Sequence, residues 1–153
     1  MHSHDKNHLC ANLAQEPRTR RIQVHSPAEM YLFLVALRVS MREIGYCQKD
    51  IFAVRLTLEE AVINAFRHGN RGDPSKNIIV RYLLTPAEVL LEVEDQGLGF
   101  DPRQVPDPLT EPYLDRPGGR GLFLMRTYMT WVSFNRQGNR VTFCRQRSSS
   151  RGV

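Results

Sequence analysis

The sequence predicts an α+β fold in two layers, with one mixed, mostly antiparallel sheet carrying three helices on one face. Three observations predict it. β-rich runs occur in neighbouring pairs joined by turn residues. Helical runs with apolar residues three and four apart separate those pairs. The resulting order, β-α-α-β-β-loop-α-β-β, fits the single core that 153 residues suit.

Residues 1–17 are polar and read as a flexible N-terminal tail. His2, His4 and His8 lie there without further ligands at zinc-type spacing. Arg20 to His25 alternates polar and apolar, the pattern of a strand. Ser26-Pro27-Ala28-Glu29 then signals a helix start, with Ser26 as N-cap, Pro27 in the first turn and Glu29 completing a capping box. This helix runs to about Ile44 and stops at Gly45. It is apolar on two sides: Leu32, Val35, Ala36 and Val39 form one stripe, and Phe33, Leu37, Met41 and Ile44 another. One core contact needs only one stripe. Either the helix lies deep in the core, or a partner or second copy covers the extra face.

A second helix is expected from Gln48 to Asn70, with Ile51, Val54, Leu58, Ala61, Val62 and Ala65 at helical spacing. Asn77–Leu84 and Glu88–Glu94 form a hairpin around Thr85-Pro86-Ala87. Residues 100–117 hold prolines at 102, 106, 108, 112 and 117 and little periodicity, and connections of that length are often lids. A third helix follows from Arg120 to Thr130. Trp131–Asn135 and Arg140–Arg145 close the fold as a hairpin around Gln137-Gly138-Asn139. The domain is expected over 18–147, and residues 148–153 read as a flexible C-terminal tail.

Composition narrows the function. The apolar fraction is 41 %, that of a globular domain. No run approaches the roughly 18–20 apolar residues that span a bilayer, and the start has no signal-peptide pattern, so a cytoplasmic protein without membrane contact is expected. Cys10, Cys47 and Cys144 cannot all pair and form no CxxC, so they read as reduced thiols. Net charge is +5. No nucleic-acid motif accompanies the arginines, so the basic surface reads as solvated or as facing an acidic protein, with no direct nucleic-acid binding.

Three segments carry chemistry. Glu60, Asn64 and His68 are four apart and so share a helix face opposite the apolar stripe. Asn64 offers a neutral oxygen suited to one position on Mg²⁺. Glu60, one turn earlier, suits a general base. Asparagine is a poor helix former, and its place inside an otherwise well-made helix points to function. Asp95 ends a strand, where its carboxylate can accept the N6 amine of adenine; guanine presents an oxygen there. Gly97 and Gly99 allow a sharp turn and close approach to a flat base. Gly118-Gly119-Arg120-Gly121 opens a helix, leaving backbone N–H groups free to face phosphate, and Arg120 could add a contact. Each segment alone could be an ordinary exposed acid, turn or loop. Their order and spacing carry the signal.

Taken together, the segments resemble the GHKL ATP-binding superfamily of histidine kinases, gyrase, Hsp90 and MutL. Glu60–Gly69 is similar to its N box, Asp95–Phe100 to its first glycine box and Gly119–Leu124 to its second. The form Glu-Ala-x-x-Asn-Ala-x-x-His-Gly looks like the N box of bacterial anti-sigma serine kinases, and the likeness spans about Arg20 to Arg145. The resemblance implies Glu60 as catalytic base and Asn64 as Mg²⁺ ligand. It implies that Asn64, His68, Gly69, Asp95, Gly97, Gly99, Phe100, Gly119, Arg120, Gly121 and Leu122 surround ATP. Residues 100–118 would be the ATP lid, with Arg116 and Arg120 as candidates for the γ-phosphate. The implied partners are a sigma factor, an anti-anti-sigma protein of the STAS type whose serine is phosphorylated, and a second copy in a homodimer. The alternative is a nucleotide-gated binding module without transfer.

Overall fold

A computed structural model of the chain describes residues 13–101, 103 and 119–149. Most of the expected lid lies outside these residues, with Arg116 and Gly118. So do residues 1–12 with their three histidines and Cys10, and residues 150–153.

Strand β1 (Arg20–Val24) leads into helix α1 (Pro27–Ile44) and helix α2 (Gln48–Asn64), which continues as a π-helical turn over Ala65–Gly69. Strands β2 (Ile78–Leu84) and β3 (Glu88–Glu94), helix α3 (Gly119–Tyr128), and strands β4 (Trp131–Phe134) and β5 (Arg140–Gln146) follow. The sheet order is β1-β2-β3-β5-β4. The expected mixed, mostly antiparallel sheet is antiparallel at all four pairings.

The two ends of α1 form as the sequence predicts. The Glu29 amide donates to Ser26 Oγ at 3.3 Å, and Gly45 ends the helix at φ 99°. The Glu29 carboxylate accepts from the His25 amide at 2.7 Å, one residue before the cap. Of the two apolar stripes, Leu37 and Met41 are buried with Met30 and Leu34, and Phe33 and Ile44 pack against them. The other stripe faces outward: Leu32 is 69 % exposed, Val35 45 % and Val39 49 %, beside Tyr31 at 67 %. Deep burial of the whole helix is therefore excluded.

The strand alternation decides where the core sits. Val80, Val89, Leu91, Val93, Val141 and Phe143 point from one face into the cluster that holds the helices. The opposite face carries Arg81 between Glu92 and Glu94, with Thr142 donating to Glu92. Part of that face is covered. Leu13, in a short 3₁₀ turn (Leu13–Gln15), is 2 % exposed and packs with Leu83, Leu90, Cys144 and Trp131. The described end of the expected N-terminal tail is thus docked, because one leucine finds an apolar patch on an otherwise charged face.

The far end is anchored as well. Asp50, fully buried at the start of α2, accepts from Arg145 Nε at 2.9 Å, the Ser148 amide at 2.8 Å and Ser148 Oγ at 2.7 Å. Burial would raise its pKa, but the bonds from Ser148, Arg145 and the Cys47 thiol hold it below the ordinary aspartate value. Ser148, expected in a flexible tail, belongs to this knot. Among the described residues, no helix is long and apolar enough to cross a membrane.

Candidate nucleotide-binding site

A cleft of about 300 Å³ opens between α2, α3 and the ends of β3 and β5. Its lining includes Asn64, His68, Gly69, Asp95, Gly99, Phe100 and Leu122 of the expected residues. Gly97, Glu60 and Gly121 are not in the lining: Gly97 lies against Gly69, and Gly121 lies against Asn64 and Glu60. Arg120, in the first turn of α3, does not line it. The three segments that are far apart in sequence thus converge.

One end is built around Asp95. The expected α-helix to Asn70 widens at Asn64 into the π turn, and Asn70 N–H reaches back five residues to Ala65 O at 2.8 Å. Such turns insert a residue into a helix and are frequent at functional sites. Here the turn lays Gly69 against Asp95: a Cβ on Gly69 would stand 2.2 Å from the Asp95 carboxyl carbon, closer than any side chain tolerates. Asn70 is 1 % exposed. Its side chain donates to Asn77 O at 3.0 Å and accepts from the Gln96 amide at 2.8 Å, holding the residue after Asp95. From the other side, Asp95 N–H donates to Asn139 O at 2.9 Å, and Asn139 Nδ2 donates to Asp95 O at 3.1 Å.

The hairpin tip and the glycine box also interlock. Gly99 has φ 81°, and a Cβ there would lie 1.8 Å from Gln137 O. The Asp95 side chain is half-spent: Oδ1 accepts from the Gly97 amide at 2.8 Å, while Oδ2 has no hydrogen bond with the described residues. Burial pushes the Asp95 pKa up, Glu94 adds to this, and the Gly97 bond and Lys76 oppose it. A partly desolvated carboxylate with one free oxygen at the end of an apolar cleft is a hydrogen-bond acceptor for an amine such as adenine N6.

The other end is built from side chains. Glu60 and Asn64 share one face of α2, as their spacing predicts, and meet the start of α3. A Cβ on Gly121 would stand 2.9 Å from Asn64 Nδ2 and 3.1 Å from Glu60 Oε2. Neither side chain has a hydrogen bond with the described residues. The donor set fits Mg²⁺ held jointly with phosphate: a neutral amide oxygen, a carboxylate one turn away, and space kept open by a glycine. Among the described residues, no group of three or more His, Cys, Asp or Glu could hold a metal, so a cation here would rely on phosphate oxygens.

Sequence reasoning missed Asn70, Arg71 and Asn139. Asn139 was visible only as a turn residue, and Asn70 only as the residue after the N box. Their bonds to the Asp95 loop cross 26 and 44 residues of chain, and no local pattern reports such contacts.

Comparison with known proteins places this cleft in context. The chain is 30 % identical over 126 residues to the serine-protein kinase RsbW of Bacillus licheniformis, covering 72 % of this chain and 75 % of that protein. It is 30 % identical over 97 residues to an anti-sigma F factor of Clostridium perfringens strain SM101, covering 61 % and 69 %. It is 34 % identical over 88 residues to the serine/threonine-protein kinase BtrW of Bordetella bronchiseptica, covering 56 % and 62 %. The profile of the family described as histidine kinase-like ATPase domain matches residues 25–145, a span that holds every residue of the cleft. The chain belongs to this ATPase family, in its anti-sigma kinase branch.

Proposed function

We propose that this domain binds Mg-ATP and passes its γ-phosphoryl group to a serine hydroxyl on a partner protein, and that it also holds a sigma factor. The relatives named as serine or serine/threonine kinases and as anti-sigma factors support both halves. The observation that carries the reading is that Asn64, with Glu60 and Gly121 beside it, lines the same cleft as Asp95. Asp95 Oδ2 would accept the adenine amine. The N-terminus of α3 would face the phosphates with its free N–H groups. Asn64 would hold Mg²⁺, which supplies charge neutralisation on the phosphate oxygens.

In the transfer, the serine oxygen bonds to the γ-phosphorus while the bond to the β-phosphate oxygen breaks. Glu60 takes the hydroxyl proton, and ADP leaves. The natural acceptor on this reading is an anti-anti-sigma protein of the STAS type, encountered in the cytoplasm. The exposed stripe of Leu32, Val35 and Val39 on α1 fits a homodimer contact, since so apolar a helix face is costly to leave in water. Val35→Asp is then expected to halve the sedimentation mass, and an unchanged mass removes the stripe from the interface.

Glu60→Gln tests the chemistry. It keeps the shape and one acceptor oxygen but cannot take a proton. It should bind ATP as the wild type does while label transfer to the partner serine falls by roughly 10²–10⁴. Full transfer by this variant would remove Glu60 as the base. Tight ATP binding by the wild type with no labelled partner would favour a nucleotide-gated switch.

A further inference from the structure

Among the described residues, Arg71 is the only non-glycine with positive φ, at 52°. It occupies the left-handed position that closes a helix, where Gly72 N–H reaches back to Phe66 O at 2.9 Å. Glycine is the usual residue there, and asparagine the next. A long side chain at this position sets its Cβ against its own carbonyl. Glycine stands one position further on, at φ 69°, so the strained site was not the one given to it.

Arg71 also lines the cleft. Its guanidinium makes no hydrogen bond or ion pair with the described residues, so no polar contact within the described fold accounts for it there. Its neighbours fix which end of the cleft it serves. Asn70, just before it, holds the loop of Asp95, and Gly69 touches the Asp95 carboxylate. Asn64 lies seven residues back, on the far side of the π turn. Leu98, 84 % exposed, lines the same cleft.

We propose that Arg71 is a nucleotide-binding residue that lays its planar guanidinium against the adenine base at the mouth of the cleft, and that its left-handed backbone is retained for this contact. The inference rests on the ATP-binding reading above. A guanidinium suits the role because it is flat, weakly hydrated and stacks on aromatic faces, whereas an ammonium does not. The partner is the base, because the two residues that lead into Arg71 belong to the Asp95 end: Gly69 abuts the Asp95 carboxylate and Asn70 holds the Asp95 loop.

Arg71→Gly separates a binding role from a structural one, because the two predict opposite signs. Removing the strain should raise the melting temperature of the free protein by about 2–4 °C. Calorimetric titration with ATP and with adenosine should show both affinities lowered by the same factor, roughly two- to fivefold. Arg71→Lys should lose the same factor. Unchanged affinities in Arg71→Gly overturn the proposal. A loss for ATP alone, with adenosine unaffected, makes Arg71 a phosphate contact and also overturns it. If the wild type binds neither ligand, the nucleotide site itself fails; if it binds both and Arg71→Gly matches it, only this inference fails.

Discussion

The two ends of the cleft are made in different ways. At the Asp95 end the protein's own hydrogen bonds fix the loop. Asn70 and Asn139 brace the loop from both sides, Gly69 and Gly99 touch other backbone or carboxylate atoms, and one oxygen of Asp95 remains open. At the Glu60 end two side chains project from α2 with no partner among the described residues, and a glycine keeps their surroundings clear. The first end is pre-organised, so a base bound there as proposed would meet no rearrangement and a low ordering cost. On the proposed function, the second would be organised only once phosphate and metal arrive. On that reading, base recognition would be a property of the fold, while phosphoryl transfer would be a property of the complex.

Breaking the braced end should therefore cost binding, where Glu60→Gln costs transfer. The largest effect is expected from Gly69→Ala. The added methyl would sit 2.2 Å from the Asp95 carboxyl carbon, and the π turn leaves it no room to yield. ATP affinity should fall by about a hundredfold or more, since displacing the carboxylate also leaves it desolvated without its ligand. Fluorescence or calorimetric titration would read it. Near-normal affinity would mean that Asp95 does not hold the base.

A smaller, graded effect should come from pH. Accepting the adenine amine requires the ionised carboxylate. Burial raises the Asp95 pKa, so ATP affinity should weaken with falling pH at values above the ordinary aspartate range. Linkage to folding has the opposite sense. A carboxyl whose folded pKa is raised favours the folded state most below its unfolded pKa, and that contribution is lost as pH rises through the folded pKa. Acidification should thus weaken ATP binding while the Asp95 contribution to stability grows. Asp50, whose pKa is lowered, works the other way: its contribution is present above its unfolded pKa and lost as pH falls through the folded pKa. Titrating Asp95→Asn across the same range should abolish the pH dependence of binding, and persistence of that dependence would assign it to another group.

The sequence alone determined the element order, both ends of α1, the two hairpins and the face that Glu60 and Asn64 share. Each follows from local chemistry: a serine cap, a left-handed glycine, alternation, a spacing of four. The three motifs were legible through their order and spacing, and the first also because an asparagine inside an apolar helix breaks a local rule.

Tertiary structure decided the rest. It chose which stripe of α1 is buried, because two similar apolar stripes differ only in what packs against them. It docked Leu13 and Ser148, each through partners more than 60 residues away in sequence. It turned the end of α2 into a π turn and set Asn70 and Asn139 on either side of Asp95. These outcomes rest on contacts between segments remote along the chain, whose free energy exists only once the sheet has brought them together.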